Sequence, residues 1–183
     1  MTAILSDPAA SVPGVLREMP RKIETSRLVL HPFTEEDRAA VVAIQTDPAT
    51  HRFNPDPPDT PTGDLLFDSW LAHWAEHGFG YCAVREQGGA EVLGLTGVRL
   101  RLFRGERVLN LAYRFAPSAW GRGYAVEAAS AAVEWAEREL PEIPVLISVN
   151  STNAPSLRVV ERLGFTQFEE EVYEGAVSRH FRR

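Results

Sequence analysis

The chain predicts an α/β protein of the α+β kind, folded as one domain, and three observations carry that reading. Apolar runs of strand length alternate with runs of helical spacing in the order β-α-α-β-β-β-α-β-α-β-β, which gives seven strands and about four helices. A small-residue segment, Trp120-Gly121-Arg122-Gly123-Tyr124-Ala125, joins a strand-like run at 108–115 to a helical run at 125–140. The length of 183 residues and the 44% hydrophobic content suit a single substantial core and do not demand a second.

Residues 1–22 are rich in Ala, Pro and Ser without periodicity and read as an N-terminal arm, with the domain at 23–183. The core begins at Ile23, and Leu28 and Leu30 alternate with polar neighbours as a first strand. Thr34 and Asp37 give the capping signal for a helix through Ile44. The proline-rich stretch 47–63 reads as a loop. A second helix over 64–76 carries Leu65, Leu66, Trp70 and Trp74, and the two tryptophans, four apart, share a face that suits the core.

Strands follow at 81–85, 92–100 and 108–115, with turns at 87–90 and 103–105. Arg99 and Arg101 alternate with Leu100 and Leu102, and Arg104 and Arg107 flank the turn, so this basic cluster reads as the wet face of a hairpin. In the helix 125–140, Val126, Ala129, Val133, Ala136 and Leu140 form the apolar stripe, while Glu127, Glu134 and Glu137 lie off it. Pro141 and Pro144 lead into a short buried strand at 145–149. Pro155 suits the first turn of the next helix, whose run 157–163 ends at Gly164, and Phe165 can fold back on Val160. A last hairpin over 166–181 turns near Glu174 and Gly175.

The net charge of −6 and the lack of clustered lysine and arginine argue against a nucleic-acid partner and favour a cationic small molecule or peptide. The single cysteine, Cys82, cannot form an internal disulfide and sits in an apolar strand, where packing is its expected role. No basic-then-apolar leader opens the chain and no run has the length of a membrane span, so a reducing cytoplasm is the expected compartment. No motif calls for a metal, and a homodimer stays open.

The segment 120–125 is the main pointer to function. The first NH groups of a helix have no intrahelical partner and carry the positive end of its dipole, and glycines let the backbone approach a phosphate closely. The expected ligand is a pyrophosphate. A dinucleotide loop needs a third glycine where Val126 stands, and a nucleoside-triphosphate loop needs a Gly-Lys pair, yet no lysine follows Lys22. The segment resembles the coenzyme A loop of the GNAT acetyltransferases, Q/R-x-x-G-x-G/A, with Trp120 at the first position, Gly123 at the fourth and Ala125 at the sixth. W-G-R-G-Y-A followed by V-E-A is similar to the branch that includes the ribosomal-protein N-terminal acetyltransferases. Asn150, Asn153 and Ser156, spaced Asn-x-x-Asn-x-x-Ser, resemble the same family, although Asn153 and Ser156 also suit a helix cap and its first turn.

The resemblance covers 23–183 and implies the GNAT fold, a mixed, mostly antiparallel seven-stranded sheet flanked by about four helices and splayed between strands 4 and 5. It implies acetyl transfer from acetyl-CoA to a primary amine, on a protein N-terminus or a small molecule, by direct attack in a ternary complex. It assigns the coenzyme to Trp120, Gly121, Arg122, Gly123, Tyr124, Ala125, Asn153 and Ser156, with Asn150 at the strand end bonding the pantetheine arm and Phe115 pairing with it by backbone. Ser156 stands where a hydroxyl can protonate the departing thiolate. Related chains often carry a glutamate on the strand before the loop, but this chain reads Asn110-Leu111-Ala112-Tyr113. Asn110 cannot act as a base and is left to orient the amine. The base could be Glu91, Glu174, His180, His31 or a water, and the acceptor pocket is expected between the 47–63 loop, the helix of Trp70 and Trp74, and the last hairpin. A coenzyme-binding protein without turnover, or transfer of a larger acyl group such as succinyl, are the alternatives.

Overall fold

The apolar strands assemble into one sheet in the order β1-β2-β3-β4-β5-β6-β8-β7. The computed structural model describes residues 18–54, 57–173 and 175–183. Its strands are β1 (Ile23–Glu24), β2 (Leu28–Pro32), β3 (Tyr81–Glu86), β4 (Gly94–Phe103), β5 (Glu106–Phe115), β6 (Val145–Asn150), β7 (Phe168–Tyr173) and β8 (Ala176–Arg182). The helices are α1 (Arg38–Thr46), α2 (Thr60–His77), α3 (Tyr124–Glu139) and α4 (Ala154–Arg162). Every strand pair is antiparallel except β5 with β6.

Eight strands stand where seven are expected, because a short strand, Ile23–Glu24, precedes the expected first one and turns back on it. Thr25 closes the turn: its backbone NH donates to Leu28 O and its hydroxyl accepts from Leu28 N, so Ile23 and Glu24 fold back on Leu30 and Val29. Upstream, Met19 is buried in the main core and its NH bonds Gly78 O, so the packed chain begins before Ile23. The remainder of the arm, 1–17, lies outside the described residues, as does Glu174 at the last turn. Helix α2 also starts earlier than the expected 64. Asp59 accepts from Thr62 N at 2.9 Å and Pro61 occupies the first turn, a cap that converts the end of the proline-rich stretch into helix.

Two apolar layers flank the sheet. On one face, α3 packs Ala128, Ala129, Ala132 and Trp135, and α4 packs Val160, in one core with Leu109, Leu111, Val145 and Ile147 of the sheet. The small residues of α3 let it lie close to the sheet. On the other face, α1 and α2 pack Val41, Val42, Phe67 and Trp70 over Tyr81, Ala83 and Leu95. Trp70 stacks on Phe33 and meets Tyr81 edge-on, and Trp74 Nε1 donates to Tyr81 O at 2.6 Å, so both tryptophans serve packing. Cys82 is buried and its thiol is pushed up by burial, which fits a packing residue. At the hairpin tip, Arg104 pairs with Glu169 and Glu171 of β7.

The splay sits between β5 and β6, strands 4 and 5 of the expected count. They pair only at Leu109 with Val145 and Asn110 with Leu146. Beyond these two pairs no register links Leu111–Phe115 to 147–150, so a gap opens at their C-terminal ends. Among the described residues no helix is long and apolar enough to cross a membrane.

Candidate active site

The chain leaves β5 at Phe115, passes through the turn Pro117–Ala119, and enters α3 over two glycines in left-handed backbone, Gly121 (φ 75°) and Gly123 (φ 79°). A Cβ on Gly121 would meet no atom within 4 Å, so the requirement for glycine is one of dihedral angle. Gly123 is the N-cap of α3 without a side-chain cap, and its carbonyl takes the first helical bond from Glu127 N at 3.1 Å. The NH groups of Tyr124, Ala125 and Val126 therefore have no acceptor within the helix. They face the end of an exposed loop, as a phosphate seat requires.

What fixes this seat comes from far upstream. Arg27 Nη1 donates to Arg122 O at 2.9 Å, and Arg27 forms an ion pair at 2.6 Å with Glu127 in the first turn of α3. Glu127 Oε1 also accepts from Thr25 Oγ1, Ser26 Oγ and Arg27 N at 2.6, 2.9 and 2.8 Å. Burial disfavours the Glu127 charge, but these donors prevail and hold the carboxyl down at about 2. Trp120 closes the other end of the loop, its Nε1 donating to Phe115 O at 2.8 Å.

A cavity of about 490 Å³ runs from this loop to the gap between β5 and β6. Of the residues expected at the site, Trp120, Gly121, Gly123, Tyr124 and Ala125 line it from the loop. Phe115 lines it from β5, and Asn153 and Ser156 from α4. Arg122 turns outward to Glu86 at 2.7 Å. Asn110 and Asn150 are also absent from the wall. Asn110 Nδ2 donates to the buried Tyr81 hydroxyl at 2.6 Å. Asn150 Nδ2 donates to Phe53 O at 2.7 Å while its Oδ1 accepts from Thr152 N and Oγ1, so this side chain ties a loop to β6. Asn153 caps α4, accepting from Ser156 N at 3.1 Å, and the helix ends in a Schellman turn in which Phe165 N bonds Val160 O and Gly164 N bonds Glu161 O.

Ser156 Oγ meets the Tyr113 hydroxyl at 2.7 Å, and burial pushes that phenol up to about 12 with partial relief from Ser156. Tyr113 thus stays protonated; its hydroxyl donates to Ser156 O at 3.1 Å, and in the contact with Ser156 Oγ either hydroxyl can be the donor, so a proton can pass between the two. The backbone of β5 adds a second feature. Leu109 N points at Pro144 O and Ala116 N at Leu93 O, so by strand alternation the NH and CO of Tyr113 and the NH of Phe115 face the gap.

Several wall residues escaped the sequence reading. The expected 47–63 stretch lines the cavity through Thr50, Arg52 and Asn54, which no motif singled out, but no described residue of the Trp70 and Trp74 helix or of the last hairpin does; β5 contributes Arg114, whose guanidinium donates to Thr50 O at 2.6 Å. Burial lowers Arg114 to about 10. Arg158 and Arg162 project from α4. Among the described residues the wall holds no carboxylate and no imidazole, so the acidic net charge does not extend to the cavity. Of the expected bases, His31 bonds Pro32 O and Arg85, Glu91 is exposed, and His180 bonds Ser148 Oγ at 2.7 Å; none lines the cavity. Among the described residues no cluster could hold a metal ion.

The model of the acetyltransferase (GNAT) domain matches residues 27–166. Among curated proteins, YkkB of Bacillus subtilis (strain 168), itself uncharacterized, is 36% identical over 76 residues, covering 40% of this chain and 43% of YkkB. The chain therefore matches less than half the length of that relative. An acetyltransferase from Agrobacterium tumefaciens superposes with a TM-score of 0.77 at 25% identity, covering 94% of this chain and 99% of that one. The ribosomal L7/L12 α-N-protein acetyltransferase RimL, solved with coenzyme A, gives 0.69 at 16% identity over 88% of this chain and 97% of that one, a likeness of fold.

Proposed function

The chain belongs to the GNAT acetyltransferase family, and from that premise we propose that it moves the acetyl group of acetyl-CoA to a primary amine by direct attack in a ternary complex. The observation that carries this reading is the continuity of one cavity from the Gly121–Gly123 loop to the Tyr113–Ser156 pair at the splayed strands. The unpartnered NH groups of Tyr124, Ala125 and Val126 suit the pyrophosphate, and the gap-facing backbone of Tyr113 and Phe115 suits the amide-rich pantetheine arm. Two ends of one ligand are thus accommodated by two segments of main chain.

In this reading the amine nitrogen attacks the thioester carbonyl carbon, the C–S bond breaks, and the departing thiolate takes the Ser156 hydroxyl proton. Tyr113 then returns a proton to Ser156, and solvent restores Tyr113. A thiol leaving group with a reference pKa near ~8.5 needs only modest help from such a donor. The proton of the attacking amine goes to water, because the described wall offers no base. Instead the wall carries Arg52, Arg114, Arg158 and Arg162, whose positive potential lowers the pKa of a bound ammonium and favours the neutral, nucleophilic form. A compartment without disulfide chemistry, the cytoplasm, suits the single buried thiol.

Release of free coenzyme A from acetyl-CoA, measured with peptides, amino acids, polyamines and aminoglycosides from about pH 6 to 9, tests the proposal. The rate is expected to climb with pH as more amine is neutral. A flat profile would call for an internal base, and a silent panel would contradict acetyl transfer.

A further inference from the structure

Tyr113 and Arg114 are neighbours on β5, so their side chains leave opposite faces of the sheet. Tyr113 reaches Ser156 of α4, on the face that carries the coenzyme loop. Arg114 reaches the turn Pro48–His51 on the α1–α2 face, where Nη1 donates to Thr50 O at 2.6 Å and Thr50 Oγ1 at 3.2 Å. One nitrogen is engaged. The guanidinium forms no ion pair with a described residue, yet it lies in the cavity wall, partly buried. Burial is what depresses it, as expected of a cation held away from both water and counter-charge.

A desolvated cation with donors to spare is costly to leave unmatched, and the planar guanidinium fork matches a carboxylate with two parallel bonds. The surrounding wall repels a polycation, since Arg52, Arg158 and Arg162 share it and no described acid offsets them. We propose that Arg114 binds a carboxylate carried by the acceptor, so that the acceptor is an amino acid or a similar small amino-carboxylate. The inference rests on the acetyl-transfer reading and adds the substrate class. It also gives a reason for the missing acid on the wall: the group that anchors the acceptor is its anion, and the amine is left free to lose its proton.

The test compares amino acids with their C-terminal amides as acceptors, with acetyl-CoA saturating, for the natural chain, Arg114→Gln and Arg114→Lys. The natural chain should favour the carboxylate member in kcat/KM by about tenfold or more, the effect of one charge-assisted pair. In Arg114→Gln that ratio should fall toward one, and Arg114→Lys should recover part of it. Equal rates for the two members in the natural chain, or an Arg114→Gln variant that slows both alike, would overturn the proposal and leave Arg114 as a staple for Thr50. A binding arm works on the natural chain alone: with coenzyme A present, N-acetyl amino acids should bind about tenfold tighter than N-acetyl amino acid amides, and equal affinity overturns the idea. Carboxylate-selective binding without any turnover would support the inference while contradicting acetyl transfer. In a third arm, succinyl-CoA replaces acetyl-CoA with amide acceptors. An Arg114→Gln variant that loses succinyl transfer yet keeps its preference for carboxylate acceptors would place the anion on the acyl chain and refute the proposal.

Discussion

The two ends of the cavity are built on different principles. The donor end, from Trp120 to Ser156, is made of main-chain groups set by local geometry: left-handed glycines, the open first turn of α3 and the cap of α4. The acceptor end is made of side chains, Arg114, Thr50, Arg52 and Asn54, brought together across the sheet from segments remote in sequence. Main chain recognises a part common to every donor molecule, whereas side chains can be exchanged to suit one acceptor.

The largest expected effect breaks the donor end. Gly123→Val forces a β-branched residue into φ 79°, a conformation costing such residues at least ~1–2 kcal/mol, and displaces the NH groups at the start of α3. Calorimetry should then show acetyl-CoA binding lost, together with the rise in unfolding temperature that ligand gives the natural chain. Next comes the support. Glu127 is held at about 2 against an ordinary 4.5, a depressed carboxyl whose contribution is present above about pH 4.5 and lost as pH falls toward 2. Glu127→Gln should cost about 2–3 kcal/mol in urea unfolding near neutral pH, with the gap to the natural chain closing in acid.

Ser156→Ala sharpens the contrast within the donor end. It should lower kcat by about tenfold to a hundredfold with little change in acetyl-CoA affinity, since a proton donor to the leaving group acts in the transition state. Tyr113→Phe should follow it with a smaller loss. The least effect is expected from Trp120→Phe, which keeps an aromatic ring but removes the 2.8 Å bond to Phe115 O. Loss of one such bond, about 1 kcal/mol, should raise the KM for acetyl-CoA several-fold and leave kcat alone.

The same contrast explains what could be read from the residues. Gly121, Gly123, Asn153, Pro155 and Gly164 declare their roles locally, because left-handed backbone and caps depend on neighbours in the chain. The order of strands and helices followed from the order of apolar runs, whereas the splay between β5 and β6 was implied only by the resemblance to the GNAT family. Arg114 gave no local signal, since its meaning depends on Thr50, 64 residues away. Glu127 stands off the apolar stripe of α3 with no local sign of a partner, and its partner Arg27 lies 100 residues upstream. Asn150 was placed with the ligand by its spacing, but its amide engages Phe53 O across 97 residues. The start of α2 was legible in Asp59 and Pro61 and was missed because the prolines before it suggested loop throughout.

Amide hydrogen exchange, with and without acetyl-CoA, addresses the division between a main-chain donor end and a side-chain acceptor end most directly. Slowed exchange is expected at Tyr124, Ala125 and Val126 and at the gap-facing amides of Tyr113 and Phe115, with no change in the β7–β8 hairpin or at the turn Pro48–His51. Protection confined to Pro48–His51, with the amides of the α3 first turn exchanging as freely as before, would contradict it.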